Sequence, residues 1–189
     1  MAQRILELYS FAPGADSLYN VWLAHVYSGN VDAALPVLNE TLAVEPAQMP
    51  ARINLGFVNV RRGNAEEAAR AFRRVEEFTE GHRSPNLTAG LAYGYSRIGD
   101  ARAAMRLFED LQNVAQGQSV GASTWAIAYL AIGAEQQALE WLDNLLEKID
   151  NHEPDAGWFS LMIIKHNITG DRVLEDPRFK ERRQRIHGS

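Results

Sequence analysis

The stretch GLAYGYSRIGDARAAMRLFEDL, residues 90–111, mixes the small residues Gly90, Ala92, Gly94, Ala101, Ala103 and Ala104 with the large Tyr95 and Phe108. Apolar residues fall three and four apart on both sides of Gly99-Asp100. That is the period of a helix face, and no alternation points to a strand. Gly99 is suited to end a first helix, because glycine adopts the left-handed cap conformation at little cost, and Asp100 to start a second. The stretch therefore reads as two helices joined by a tight turn. Its small residues let the helices approach, and its rings fill the space beside them.

The same string recurs on either side, as NLGFVNVRRGNAEEAARAFRRV at 54–75 and TWAIAYLAIGAEQQALEWLDNL at 124–145. The turn dipeptides Gly29-Asn30, Gly63-Asn64, Gly99-Asp100 and Gly133-Ala134 are spaced by 34, 36 and 34 residues. Eight residues before the glycine stand Leu55, Leu91 and Trp125, followed by Gly56, Ala92 and Ala126. Five after it stand Ala34, Ala68, Ala104 and Ala138, and nine after it Leu38, Phe72, Phe108 and Leu142. A fixed period of this length marks an array of helical hairpins that bury their faces on one another.

In this pattern and period the chain resembles the tetratricopeptide repeat family over about residues 15–147. The resemblance implies an all-α fold, a right-handed superhelical solenoid of stacked antiparallel helix pairs. Four units are expected, at about 15–48, 49–84, 85–118 and 119–147. Residues 1–14 are expected to form a half-repeat or N-terminal cap, with an apolar end near Ile5, Leu6 and Leu8 that would serve a homodimer. DAGWFSLMIIKHN, residues 155–167, has the apolar density of a further buried helix. Asp176-Pro177 then reads as the start of a last one, with Phe179 and Ile186 on one face, so that 155–187 caps a single domain. VLEDPRFKERRQRI, residues 173–186, is also similar to the end of the repeat arrays that follow catalytic or DNA-binding modules in bacterial signalling proteins, among them class III adenylate cyclases and winged-helix regulators. That likeness implies a second function, a sensory or regulatory arm that binds a peptide or small ligand or self-associates.

The 189 residues carry a net charge of −5, yet residues 178–189 hold five cations against Glu181 alone. An acidic body disfavours nucleic acid, which is recruited by basic surface. The basic tail offers weak contact with an anionic surface as a subordinate use, beside its reading as a solvated capping helix. There is no cysteine, no charged-then-apolar leader, and no apolar run near the ~20 residues of a membrane helix, which together point to a cytoplasmic protein without a membrane span. No phosphate-binding glycine loop occurs, and the histidines at 25, 82, 152, 166 and 187 lack metal-ligand spacing. Glu66-Glu67 and Glu76-Glu77 fall on outer helix faces. The expectation is a non-enzyme with no cofactor and no metal.

The first helix of each pair lines the inner face in the family, and that register assigns a partner groove to Asn54, Phe57, Arg61, Tyr93, Arg97, Thr124 and Ile127. Tyr19, Trp22 and His25 would extend it into the first unit. An apolar strip with a basic edge suits a protein or peptide carrying hydrophobic and acidic residues. The competing reading has Phe57 and Tyr93 packing within the fold and the arginines pairing with the protein's own carboxylates. Domains of this family that clamp chaperone C-termini use a set of Lys, Arg and Asn residues. Here Asn54 matches, whereas Ile53, Phe57, Gly90 and Thr124 do not, so the chain departs from that subclass.

Overall fold

The computed structural model describes residues 15–79, 82–155 and 157–188. The expected half-repeat over 1–14, with Ile5, Leu6 and Leu8, lies outside the described residues. All regular structure among the described residues is helical. None of these helices is long and apolar enough to cross a membrane. The chain divides into two compact units, Met1–Glu80 and Gly81–Ser189.

The first unit contains α1 (Ala15–Tyr27), a 3-10 turn (Val31–Ala33), α2 (Ala34–Val44), α3 (Met49–Arg61) and α4 (Ala65–Thr79). Each helix packs on the next. Its core holds Trp22, Val26, Leu38, Ile53, Phe57, Val58, Phe72 and Val75. Gly56 is dictated by this packing, because a methyl group there would overlap the Phe72 ring.

The second unit contains α5 (Pro85–Arg97), α6 (Ala101–Ala115), α7 (Ala122–Ala131), α8 (Glu135–Asp150), α9 (Trp158–His166), a 3-10 turn (Val173–Glu175) and α10 (Pro177–Gly188). The pairs α5–α6 and α7–α8 pack side by side through α5 and α7, α9 lies across α5 and α7, and α10 packs on α8. Leu91, Leu107, Leu111, Leu142 and Leu145 are fully buried, each stabilising the unit by about 1.5–3 kcal/mol. The Phe108 ring meets Tyr129 at 5.3 Å, and Trp125 stacks on Trp141 at 5.8 Å.

The four predicted turns share one geometry. Gly29, Gly63, Gly99 and Gly133 have φ of 76°, 75°, 85° and 75°. In each, the glycine N–H donates three residues back and the following N–H five residues back, as in Gly63 N to Val60 O and Asn64 N to Asn59 O. This is the Schellman closure, which satisfies carbonyls that the helix end leaves open. A Cβ at any of the four would meet nothing within 4 Å, so the left-handed backbone, not space, selects glycine.

Starting the second helix differs between units. Asp100 caps α6 by accepting the Ala103 N–H at 3.0 Å, as expected. Asn30 makes no side-chain cap bond, and a 3-10 turn precedes α2. Pro36 explains the delay: an α-helix beginning at Val31 would need an N–H from residue 36, which proline lacks.

The tail is a helix that packs on α8. Asp176 Oδ1 accepts the Arg178 N–H at 2.9 Å, and Phe179 and Ile186 are buried. Arg178 pairs with Glu135 at 3.0 Å, Arg182 with Asp143 at 2.7 Å and Arg185 with Asp150 at 3.0 Å, all on α8. Arg183 pairs with Glu175 at 2.8 Å. Four of the five cations of the tail thus have carboxylate partners within its own unit.

Candidate functional site

On α5, Asn86, Tyr93 and Arg97 are spaced by seven and four residues and share one side of the helix. That side is taken by the chain's own Asp155 and residues 157–171. The Asn86 side-chain carbonyl accepts from Thr124 Oγ1 at 3.0 Å, Ser160 Oγ at 2.7 Å and the Ser160 N–H at 3.2 Å. Asp155 Oδ1 accepts the Ala122 N–H at 2.7 Å, and its other oxygen accepts from Ser123 Oγ. Gly157 passes so close that a methyl group there would overlap Ser123 Oγ.

At the far end Asp171 Oδ2 accepts from the Tyr93 hydroxyl at 2.8 Å and from Arg97 Nη1 at 2.5 Å. The Arg97 guanidinium lies 5.1 Å over the Tyr93 ring. Burial pushes the Tyr93 hydroxyl well above its ordinary pKa, and the neighbouring Asp171 charge pushes it the same way. Tyr93 therefore stays a neutral donor.

Met162, Ile163, Ile164 and Ile168 are buried behind these polar contacts. Exposing them would cost about 6–12 kcal/mol, taking roughly 1.5–3 for each. That is comparable with the ~5–15 kcal/mol stability of a whole domain. Burial of these side chains holds α9 against α5 and α7.

The residues expected in the groove are therefore placed as follows. Tyr93, Thr124 and Ile127 are buried, and Arg97 is held by Asp171. Asn54 is buried and donates back to Pro50 O at 2.8 Å. Phe57 is fully buried, its ring 5.7 Å from Phe72. Arg61 is at the surface, 3.8 Å from Asp32. Trp22 is buried, His25 is half-buried, and the Tyr19 side chain lies outside the described residues. The structure brings Tyr93 and Arg97 together around an internal carboxylate, whereas Asn54 and Phe57 serve the packing of the first unit.

An open concavity of about 380 Å³ lies instead within the first unit, between α2, α3 and α4. Leu35 and Leu55 line its apolar part, and Asn39, Asn59, Arg52, Glu67, Arg70 and Arg74 its polar walls. Arg70 pairs with Glu67, and Arg74 with Glu77 at 2.7 Å. Arg52 reaches the Pro46 carbonyl and lies 5.6 Å from the Phe78 ring centre. Partial burial, and then the charge of Arg74, hold Arg52 below the usual arginine pKa.

Sequence reasoning centred on the repeated positions and passed over Arg52. The signal was there as a departure from the repeat: eleven residues before the turn glycine the other units carry Leu18, Thr88 and Ala122. Eleven after it they carry Glu40, Asp110 and Asn144 where the second unit has Arg74. Among the described residues no three acidic or histidine side chains are gathered to hold a metal.

Compared with known proteins, the chain matches no protein-family model and no curated protein.

Proposed function

We propose that the chain is a non-catalytic protein-interaction scaffold of the tetratricopeptide type, its helix pairs stacked as a right-handed superhelix, and that it holds a protein or peptide partner. The recurrence of one turn geometry at a 34–36-residue period, with small residues opposite rings, supports the family reading. The observation that carries the functional reading is a contrast. The inner side of α5 and α7 is closed by the chain's own α9, while the α2–α3–α4 concavity is open, partly apolar and lined by three guanidinium groups. A surface of this kind has the ingredients of peptide recognition, an apolar floor with a few polar groups that fix orientation.

Panning a random peptide display library against the full chain tests this reading. Enrichment of a recurrent sequence pattern, competed by its synthetic peptide, is the expected result. No enrichment above an unrelated helical control would sink it.

A further inference from the structure

Arg52 donates to the Pro46 carbonyl, yet of the three arginines lining this concavity it is the one that no carboxylate among the described residues answers. Its Nε atom is buried with no hydrogen-bond partner. No carboxylate pairs with it among the described residues, whereas Glu67 and Glu77 answer Arg70 and Arg74. The Arg52 guanidinium is held over Phe78, whose side chain is large, apolar and 51% exposed. On the facing wall Asn39 is exposed, and its amide makes no hydrogen bond among the described residues. Arg52 and Arg74 both line this concavity, Arg74 with Glu77 as its partner and Arg52 with no carboxylate, and the exposed Phe78 ring sits beside Arg52.

We infer that this concavity binds an acidic peptide segment, one of whose carboxylates bridges Arg52 and Arg74 while a neighbouring apolar side chain covers Phe78. The inference rests on the scaffold reading above and gives it a ligand chemistry. A carboxylate matches the planar guanidinium fork with paired hydrogen bonds. It also suits the charge better than a phosphate does, because the Glu67 and Glu77 carboxylates nearby would repel a dianion more strongly than a single negative charge. Asn39 has the donors and acceptor to meet the peptide backbone. The rim is exposed to solvent, so the contact weakens as salt rises.

A blocked, fluorescein-labelled peptide alternating glutamate with phenylalanine, followed by anisotropy on the full chain, tests this. The expected result is saturable binding that falls about tenfold or more when glutamine replaces glutamate in the peptide. Arg52→Ala and, separately, Arg74→Glu are expected to weaken it by at least the same factor. Arg74 is 63% exposed, so its substitution leaves the core intact even where Arg52→Ala disturbs α3. No binding, equal binding of the two peptides, or indifference to both substitutions overturns the inference. So does displacement by inorganic pyrophosphate at lower concentration than by unlabelled peptide, which would make this a phosphate site. Display-selected peptides that bind but are not acidic, and that ignore Arg52, would leave the scaffold reading standing and remove this one.

Discussion

Asp171 Oδ2 lies 2.8 Å from the Tyr93 hydroxyl and 2.5 Å from Arg97 Nη1, joining residues 78 and 74 positions apart. The carboxylate is 6% exposed and Arg97 21%, so solvent screens the pair little. Asp171→Ala leaves a mostly buried cation without its counter-charge and the Tyr93 hydroxyl with only Thr169 Oγ1, 3.1 Å away, as a partner, at an expected cost of about 2–4 kcal/mol. Urea denaturation measures it. A loss below about 0.5 kcal/mol would show that water replaces the carboxylate. The Arg97→Ala, Asp171→Ala double variant should lose less than the two single losses added.

Tyr93 gives the second unit a sensitivity to alkali. Its folded pKa is raised above the ordinary value of 10.0. The stabilisation is therefore complete below pH ~10 and is lost as pH climbs through the folded value, because the unfolded chain gives up the proton first. Tyr93→Phe is expected to be less stable than wild type at neutral pH and to lose stability less steeply above pH ~10. Parallel melting curves between pH 9 and 11 for the two proteins would contradict this.

The glycines fall into two kinds that substitution separates. Gly63→Ala meets no atom but must hold φ near 75°, an expected loss of about 1 kcal/mol. Asparagine should be tolerated better there, since it accepts the left-handed conformation. Gly56→Ala has ordinary helical backbone but runs into Phe72, an expected loss of about 1–3 kcal/mol that a smaller partner, as in Phe72→Leu, should partly restore. At the end of α8, His152 adopts φ of 57° within the same hydrogen-bond pattern, Glu153 N to Lys148 O at 2.8 Å. His152→Gly is therefore expected to raise stability by about 0.5–1 kcal/mol. Thermal unfolding of these five variants reads all of these.

The attachment of α10 should loosen in acid. Hydrogen bonds from Arg183 and then Asn167 hold Glu175 below its ordinary 4.5, and Arg178 holds Asp176 below 3.8. Lowered folded values mean that the unfolded chain binds protons first, so this contribution is present above pH ~4.5 and drains away as pH falls. Amide exchange in α10 is expected to quicken below that value before exchange in α6 does. A Glu175→Gln, Asp176→Asn variant should show the faster exchange already at neutral pH. If its exchange there equals that of wild type, the two carboxylates do not hold α10.

What the sequence discloses follows the range of the interactions. Each hairpin turn is closed by bonds spanning at most five residues, and Gly29, Gly63, Gly99 and Gly133 announce it locally. The α10 cap is legible for the same reason, through Asp176-Pro177 and the spacing of Phe179 and Ile186. The covering of Tyr93 and Arg97 is not legible, because Asp171 and Ser160 meet α5 across more than seventy residues and carry no local mark of it. A tyrosine unneeded by the repeat pattern reads equally well as a surface for a partner or for the chain's own end. Arg52 was hidden by attention to what the units share, since its meaning lies in how one unit differs.

Closure of α5 and α7 by Asp155 and residues 157–171 has a consequence for the order in which this chain comes into being. The hairpins α5–α6 and α7–α8 contain all they need to form soon after they are made, whereas contacts across seventy-odd residues must wait for a long loop to close. During synthesis Tyr93, Arg97 and Ser123 leave the ribosome well before Asp155, Ser160 and Asp171 do. For that interval the nascent chain presents a bare, adhesive flank, which stays open until Asp155, Ser160 and Asp171 arrive to seal it.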